Sequence, residues 1–265
     1  MADQLISSID AGRAARLLAR QNVKSAPGGS TAGCVLGNVV IMPEIVAGEF
    51  LQFCMRNPQP CPLLAFSSPG VPRLPDLGAD LDIRTDIMRY RIWRDGEVAA
   101  EVSDILDVWR DDLVTFVLGC SFSFDHLLMQ EGIPVRYIEE GTAAPAYITS
   151  LPTNPAGRFR GPLVVAMRPL VAAHAIRAIQ ISSRYPSAHG APIHIGSPDL
   201  IGIDDLEKPD FGASLTVKDD ELPVFWACGA TPQAVIAASK IPFCITHGAT
   251  AMLATDLSIN KMAIL

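Results

Sequence analysis

The sequence predicts an α/β fold: a mixed, largely parallel sheet with flanking helices, plus a smaller inserted α+β subdomain. Three observations predict it. Four short β-rich runs are each followed by a turn and a helical pattern: TFVLG by CSFSFDHLLMQEG, PLVVAMRP by VAAHAIRAIQISSRY, LPVFWACG by TPQAVIAASK, and IPFCITHG by ATAMLATDL. Such alternation marks strand–helix units in a parallel sheet. The stretch 143–220 breaks this pattern with YITSLPTNPAGRFRGP, HGAPIHIG and the loop-rich SPDLIGIDDLEKPDFG. It is therefore assigned to the inserted subdomain, with 1–142 and 221–265 together forming the main domain. Finally, 265 residues at 49% hydrophobic and 18% charged content are enough to bury a substantial core.

The elements follow in order. IDAGRAARLLARQ (9–21) reads as a short amphipathic helix with Asp10 as its N-cap. SAPGGSTAG (25–33) is a loop whose glycine spacing does not match a dinucleotide fingerprint. CVLGNVVIMP (34–43) is a strand ended by Pro43, and Glu44 to Arg56 a helix with Ile45, Phe50, Phe53 and Cys54 as apolar contacts. Three prolines within NPQPCPLLAF (57–66) impose an extended chain. DIMRYRIWRDGEV (86–98) reads as two strands about an Asp95-Gly96 turn. Asp104 to Asp112 is a polar helix or turn leading into the first of the four strand–helix units.

A net charge of -7 and a pI near 5.2 argue against a nucleic-acid binder, which needs a basic face. No apolar run approaches the roughly 20 residues that cross a bilayer, and the N-terminus lacks a signal-peptide apolar segment. The expected protein is soluble and cytoplasmic, with no membrane partner. Its six cysteines (34, 54, 61, 120, 228, 244) form no C-x-x-C pair and are expected to be reduced, mostly as small buried hydrophobes.

Ligands of open α/β sheets bind beyond the carboxyl ends of the strands, where helix N-termini favour anions. Cys120 and Ser121 stand at such a strand end, where a cysteine can have a lowered pKa; the plain alternative is a packed thiol and a capping hydroxyl. FWACGATPQ is a second such turn. Thr231 suits the N-cap, Pro232 the first helical position and Gly229 a close backbone approach, with Cys228 and Gln233 beside them. A well-capped helix alone would explain Thr231 and Pro232. CITHG ends a third strand on His247, a candidate acid or base, although a lone histidine is more often structural.

In HGAPIHIG, Pro192 excludes a helix, and the spacing of five sends His189 and His194 to opposite faces of an extended segment. Joint metal ligation is thus disfavoured, while either one can act as an acid, a base or a substrate contact. Arg168 ends the AMRP strand and can clamp a carboxylate or form a structural ion pair. Asp204, Asp205 and Asp210 suit loop caps.

Taken together, NPQPCPLL, GCSFSFD, VVAMRP, HGAPIHIG, IGIDDLEKPDFG, PVFWACGATPQ and ITHG resemble the D-glutamate cyclase-like family, whose bacterial members are termed hydro-lyases. The resemblance runs in order from about residue 10 to 256. It implies a two-part α/β fold and D-amino acid metabolism: conversion of D-glutamate to 5-oxo-D-proline with loss of water. The sequence departs from the family pattern at two places. GATAM follows ITH where a Pro-Gly is usual, and Leu36 stands where a glutamine is usual. If either place contacts substrate, the substrate differs or activity is lost.

On this reading His247 or His189 moves protons, backbone N–H groups after Cys120 and Cys228 hold an oxyanion, and Arg168 or Ser121 anchors a carboxylate. Cys120 is the less favoured covalent nucleophile, because a thioester from a free carboxylate is uphill. The catalytic candidates are Cys120, His189 and His247. The binding candidates are Ser121, Arg168, His194, Cys228, Gly229, Thr231 and Gln233. No metal ligands are assigned and no organic cofactor is expected; a divalent metal and a homo-oligomer are left open. The partner is a small-molecule carboxylate. The alternatives are lyase or hydratase chemistry on another small carboxylate, and a non-catalytic protein that binds or senses one.

Overall fold

A computed structural model of the chain describes residues 8–23 and 33–264. The loop expected at 25–33 therefore lies, apart from Gly33, outside the described residues. Helix α1 (Ser8–Arg20) leads to strand β1 (Cys34–Pro43), helix α2 (Glu44–Arg56) and strand β2 (Leu63–Phe66). The hairpin β3 (Tyr90–Arg94) and β4 (Glu97–Val102) turns at Asp95-Gly96 as predicted, and β5 (Leu113–Gly119) runs into helix α3 (Phe122–Gln130). A short helix α4 (Arg136–Glu139) precedes β6 (Ala146–Pro152), β7 (Pro162–Val171) and helix α5 (Ala172–Ser182). Then come β8 (His194–Ile195), β9 (Glu221–Ala227), helix α6 (Ala230–Ser239), β10 (Cys244–His247) and β11 (Leu253–Ser258).

Two sheets result. The larger has the order β2-β5-β1-β10-β3-β4, with β11 also on β1; the smaller has the order β6-β7-β9-β8. The α/β class holds, but the largely parallel sheet does not, because every strand pair is antiparallel. The reason lies in the connections. After α3 the chain passes to the other sheet, and after α5 a long segment intervenes before β9, so no helix simply returns the chain to start a parallel neighbour. Strand β1 is a near-continuous apolar run, of the kind common in parallel sheets, because both its faces are covered. Val40 and Met42 pack with Phe50, Phe53 and Phe116 on one side; Val39 and Ile41 pack with Ile83, Ile87 and Ile245 on the other.

Other expectations need correction. ATAMLATDL is no helix: its second half is β11, which pairs with Leu36 and Gly37 of β1. Arg168 lies inside β7, not at its end. The strand at 221–227, grouped by sequence with 1–142, pairs with β7 in the smaller sheet. Asp10 falls within the first turn of α1, and Ile45 is exposed on α2. Helix α1 is fixed by Arg16, fully buried, which bonds Asp80 at 2.6 Å, Asp256 at 2.8 Å and the Ala254 carbonyl at 2.9 Å. No helix among the described residues is long and apolar enough to cross a membrane.

Candidate active site

The site begins at a split in a ladder. Along one edge of β1, β11 pairs as far as Gly37 and β10 takes over from Val40. Asn38 and Val39 therefore face the turn 248–252 between those two strands. The His247 ring fills the gap: the Val39 N–H donates to its Nδ1 at 3.1 Å. Nδ1 also lies 3.4 Å from the Val39 carbonyl, and Nε2 faces the Gln233 amide nitrogen at 3.4 Å. Along the other edge, β5 ends with Gly119 opposite Gly37. Strands β5 and β10 flank β1, and their registers put Cys120 opposite Leu36 and His247 opposite Val39, three residues apart along β1 on strands about 10 Å apart.

Helices α3 and α6 start beside this stretch of β1. Asn38 donates to the Gly119 carbonyl at 2.8 Å and lies so close to Gly229 that a Cβ there would come 2.1 Å from Asn38 Nδ2. A glycine is thus required where α6 crosses β1. Gly229, not Thr231, occupies the N-cap. The Thr231 hydroxyl instead exchanges hydrogen bonds with the Val164 backbone, at 3.1 and 3.2 Å, and ties α6 to β7. Ser121 occupies the N-cap of α3 without a side-chain cap bond.

The two cysteines are not activated. Burial, the largest cause, raises the Cys120 thiol to about 12, and burial also raises Cys228. The expectation of a lowered Cys120 pKa is thereby overturned: the thiol is enclosed rather than set in an open electropositive turn. Each sulfur also takes an amide of its own helix. Ala230 N–H reaches Cys228 Sγ at 3.4 Å, and Phe122 N–H is bonded to the Cys120 thiol. Those two amides are already engaged and are not free for an oxyanion.

The polar centre is Arg168, only 2% exposed. Its Nε and Nη2 bond the two oxygens of Asp125, each at 2.7 Å, and Nη2 lies 3.3 Å from Ser121 Oγ. Asp125 also accepts the Tyr137 hydroxyl. The Arg168 Cζ stands 5.1 Å from the ring centres of both Phe124 and Trp226. Its Nη1 is buried and finds no partner among the described residues.

His189 adjoins this centre. The turn 186–188 packs on the end of β5, so that a Cβ on Gly119 would come 1.7 Å from the Ser187 carbonyl oxygen. Gly119→Ala is therefore expected to destabilise the fold by about 1–3 kcal/mol, read by urea denaturation, and to displace the His189 turn. His189 has a left-handed backbone (φ 75°) and donates from Nδ1 to the Gln59 carbonyl at 2.7 Å. Prolines on both sides of Gln59 stiffen the segment that presents that carbonyl. With the proton on Nδ1, Nε2 is an acceptor; it is buried and unpartnered among the described residues, as is Ser187 Oγ two residues earlier. Burial, supplemented by the Arg168 charge, lowers His189 to about 4. Burial, with Arg91 adding to it, lowers His247 to the same value. Both rings are neutral near pH 7. Gln233 connects His247 to Arg91: its amide lies 3.4 Å from the His247 carbonyl and Nε2, and Arg91 lies 3.4 Å from its Oε1.

The structure thus gathers Cys120, Ser121, Arg168, His189, Cys228 and Gly229 around Asn38 and Gly119, with His247 and Gln233 across β1. His194 stays apart: its Nε2 contacts the Ser197 carbonyl at 2.8 Å and its ring lies against Phe225 on the short edge strand β8. Asp125, Tyr137 and Asn38 were missed. Asn38 is a lone polar residue in an apolar strand and Asp125 an acid among Phe124, Leu127 and Leu128, and a buried polar group needs a partner. That signal was present in both segments. Among the described residues, no group of three or more His, Cys, Asp or Glu is arranged to hold a metal ion.

The sequence profile of the D-glutamate cyclase family matches residues 114–256, which span β5 to β11 and carry most of this site. The chain belongs to the D-glutamate cyclase family. Within it, the chain is 58% identical over 252 residues to the "Putative hydro-lyase" of Bordetella petrii, covering 95% of this chain and 96% of the relative. It is 55% identical to the protein of the same name from Bordetella pertussis, over 98% and 94% of the two chains. A third relative so named, from Bradyrhizobium sp., is 56% identical over 93% and 92%. A solved structure, a nitrogen repressor-like protein from Methanococcus jannaschii, covers 96% of this chain and 98% of its own at 10% identity and a TM-score of 0.40.

Proposed function

We propose that this chain is a hydro-lyase acting on a small amino acid or carboxylate, and that it cyclises D-glutamate to 5-oxo-D-proline with loss of water. One observation carries the reading: Arg168 Nη1 and His189 Nε2 are both buried without a partner among the described residues, and Arg168 is near enough for its charge to act on His189. One is a cationic donor and the other a neutral acceptor. Leaving such groups empty in a folded interior is costly, and a small ligand with a carboxylate and an N–H or O–H satisfies both. Family membership and the name shared by the relatives support the reaction class.

In this mechanism the α-carboxylate rests on Arg168. That contact offsets the guanidinium charge, which otherwise lowers the basicity of His189. His189 Nε2 takes a proton from the substrate ammonium, and the freed amine attacks the side-chain carboxyl carbon. A C–N bond forms, and the C–O bond then breaks. The neutral His247 takes the second proton from nitrogen and passes it to the departing oxygen, and His189 passes on the first, so both rings end neutral. The two protons lost by nitrogen and one carboxylate oxygen leave as water.

The test is NMR detection of 5-oxo-D-proline from D-glutamate. His189→Ala and His247→Ala are each expected to lower kcat by about 100-fold or more. Full activity in both variants would eliminate the acid–base assignment.

A second reading, hydro-lyase chemistry on another small carboxylate, is favoured by one observation. Leu36, Cys120 and Ala254 form an apolar cluster with Met252 and Phe122 packed against it. Both departures from the family pattern thus meet at one wall beside Cys120. A substrate with an apolar tail would suit that wall. Turnover of such acids with none of D-glutamate would decide for this reading.

A further inference from the structure

The Arg168 guanidinium is used along one edge only. It has five N–H bonds on three nitrogens. Nε and Nη2 are committed to Asp125, Nη2 also meets Ser121, and Nη1 is left over. Asp125 is 1% exposed and is itself held by the Tyr137 hydroxyl. Ion pairs this deep are often no more stabilising than an apolar pair of the same size, so stability alone does not account for it. A bidentate carboxylate does something an apolar partner cannot: it fixes the plane and rotation of the fork.

We propose that Asp125, backed by Tyr137, is a positioning residue that holds the Arg168 fork so that Nη1 is presented to a ligand carboxylate beside His189. This rests on the carboxylate-binding reading of the site and extends it to two residues that do not touch the ligand. A lysine at 168 could not serve, since Asp125 would claim its single charged centre and leave no directed donor.

The test combines a spectroscopic and a kinetic arm. In wild type, 15N NMR should show an Arg168 guanidinium with slow exchange and frozen rotation; in Asp125→Asn the signals should average. Nη1 would hold the carboxylate alike in ground and transition states, so the loss appears in KM. KM for D-glutamate and the Kd of glutarate should each rise ~10-fold or more, the scale of one charge-assisted bond, with kcat changed by less than about threefold. Asp125→Asn added to Arg168→Lys should leave the glutarate Kd unchanged. A merely structural role would lower Tm and leave KM alone.

Frozen guanidinium signals in Asp125→Asn, or an unaltered glutarate Kd in that folded variant, overturn the proposal. If Asp125→Asn does not fold, Tyr137→Phe decides: a raised KM and Kd support the proposal, and wild-type values overturn it. If wild type neither converts D-glutamate nor binds glutarate, the carboxylate reading fails separately, and the NMR arm still decides the positioning role.

Discussion

Arg168→Met is expected to abolish turnover and to destabilise the fold by about 3–5 kcal/mol, the usual result of breaking a buried ion pair from one side. The size follows from burial. Asp125 and Arg168 are almost fully enclosed, and in the variant Asp125 keeps, among the described residues, only the Tyr137 hydroxyl as a side-chain partner. The rings of Phe124 and Trp226 also lose the cation between them. A second substitution separates fold from function. Arg168→Met combined with Asp125→Leu removes both charges and should recover most of the lost stability, yet remain inactive for want of a donor at Nη1. Denaturation curves and turnover measured on the same preparations check both statements. An active double variant would remove Arg168 from the chemistry.

The second large effect is a loss of stability in mild acid. His189 and His247 sit near 4 in the fold, against an ordinary 6.5. Between those values the unfolded chain binds protons that the folded chain refuses, so stability falls as pH is lowered. It is complete above about pH 6.5, declines toward pH 4 and then levels off for these two groups. Each ring accounts for roughly 3 kcal/mol across that window. Ion-paired carboxylates such as Asp80 and Glu221 are held below their ordinary values by their arginines, so their contribution is lost only at lower pH. Urea midpoints from pH 7 to 4 should therefore drop steeply in wild type, with about half the slope in His189→Gln. A flat profile would mean that neither ring is buried and neutral. The same values put the acid limb of kcat/KM near pH 4, not near 6.5.

Much of the fold could be read locally. The Asp95-Gly96 hairpin, the extended proline segment and the strand–turn–helix at Cys120, Arg168 and Cys228 follow from turn chemistry and apolar period. Strand direction could not, because a run such as VLGNVVI reports burial on both faces and not the orientation of its neighbour. The segment ATAMLATDL has residues that suit a helix, but pairing with the exposed edge of β1 at Leu36 and Gly37 prevailed. The sequence picked out Arg168 and His189 by residue type, and the structure brings them together. It read Cys120 and Cys228 as chemistry; both thiols are enclosed and bonded to helix amides. Spacing set His194 on the opposite face from His189 yet left it among the binding candidates; it lies against Phe225 with its Nε2 at the Ser197 carbonyl.

The most direct measurement is a D-glutamate titration of protein labelled with 15N in its histidine and arginine side chains. The account predicts that the Arg168 guanidinium and the His189 Nε2 resonances both move and saturate together, while His194 stays in place. Saturable binding with Arg168 and His189 unmoved would contradict it.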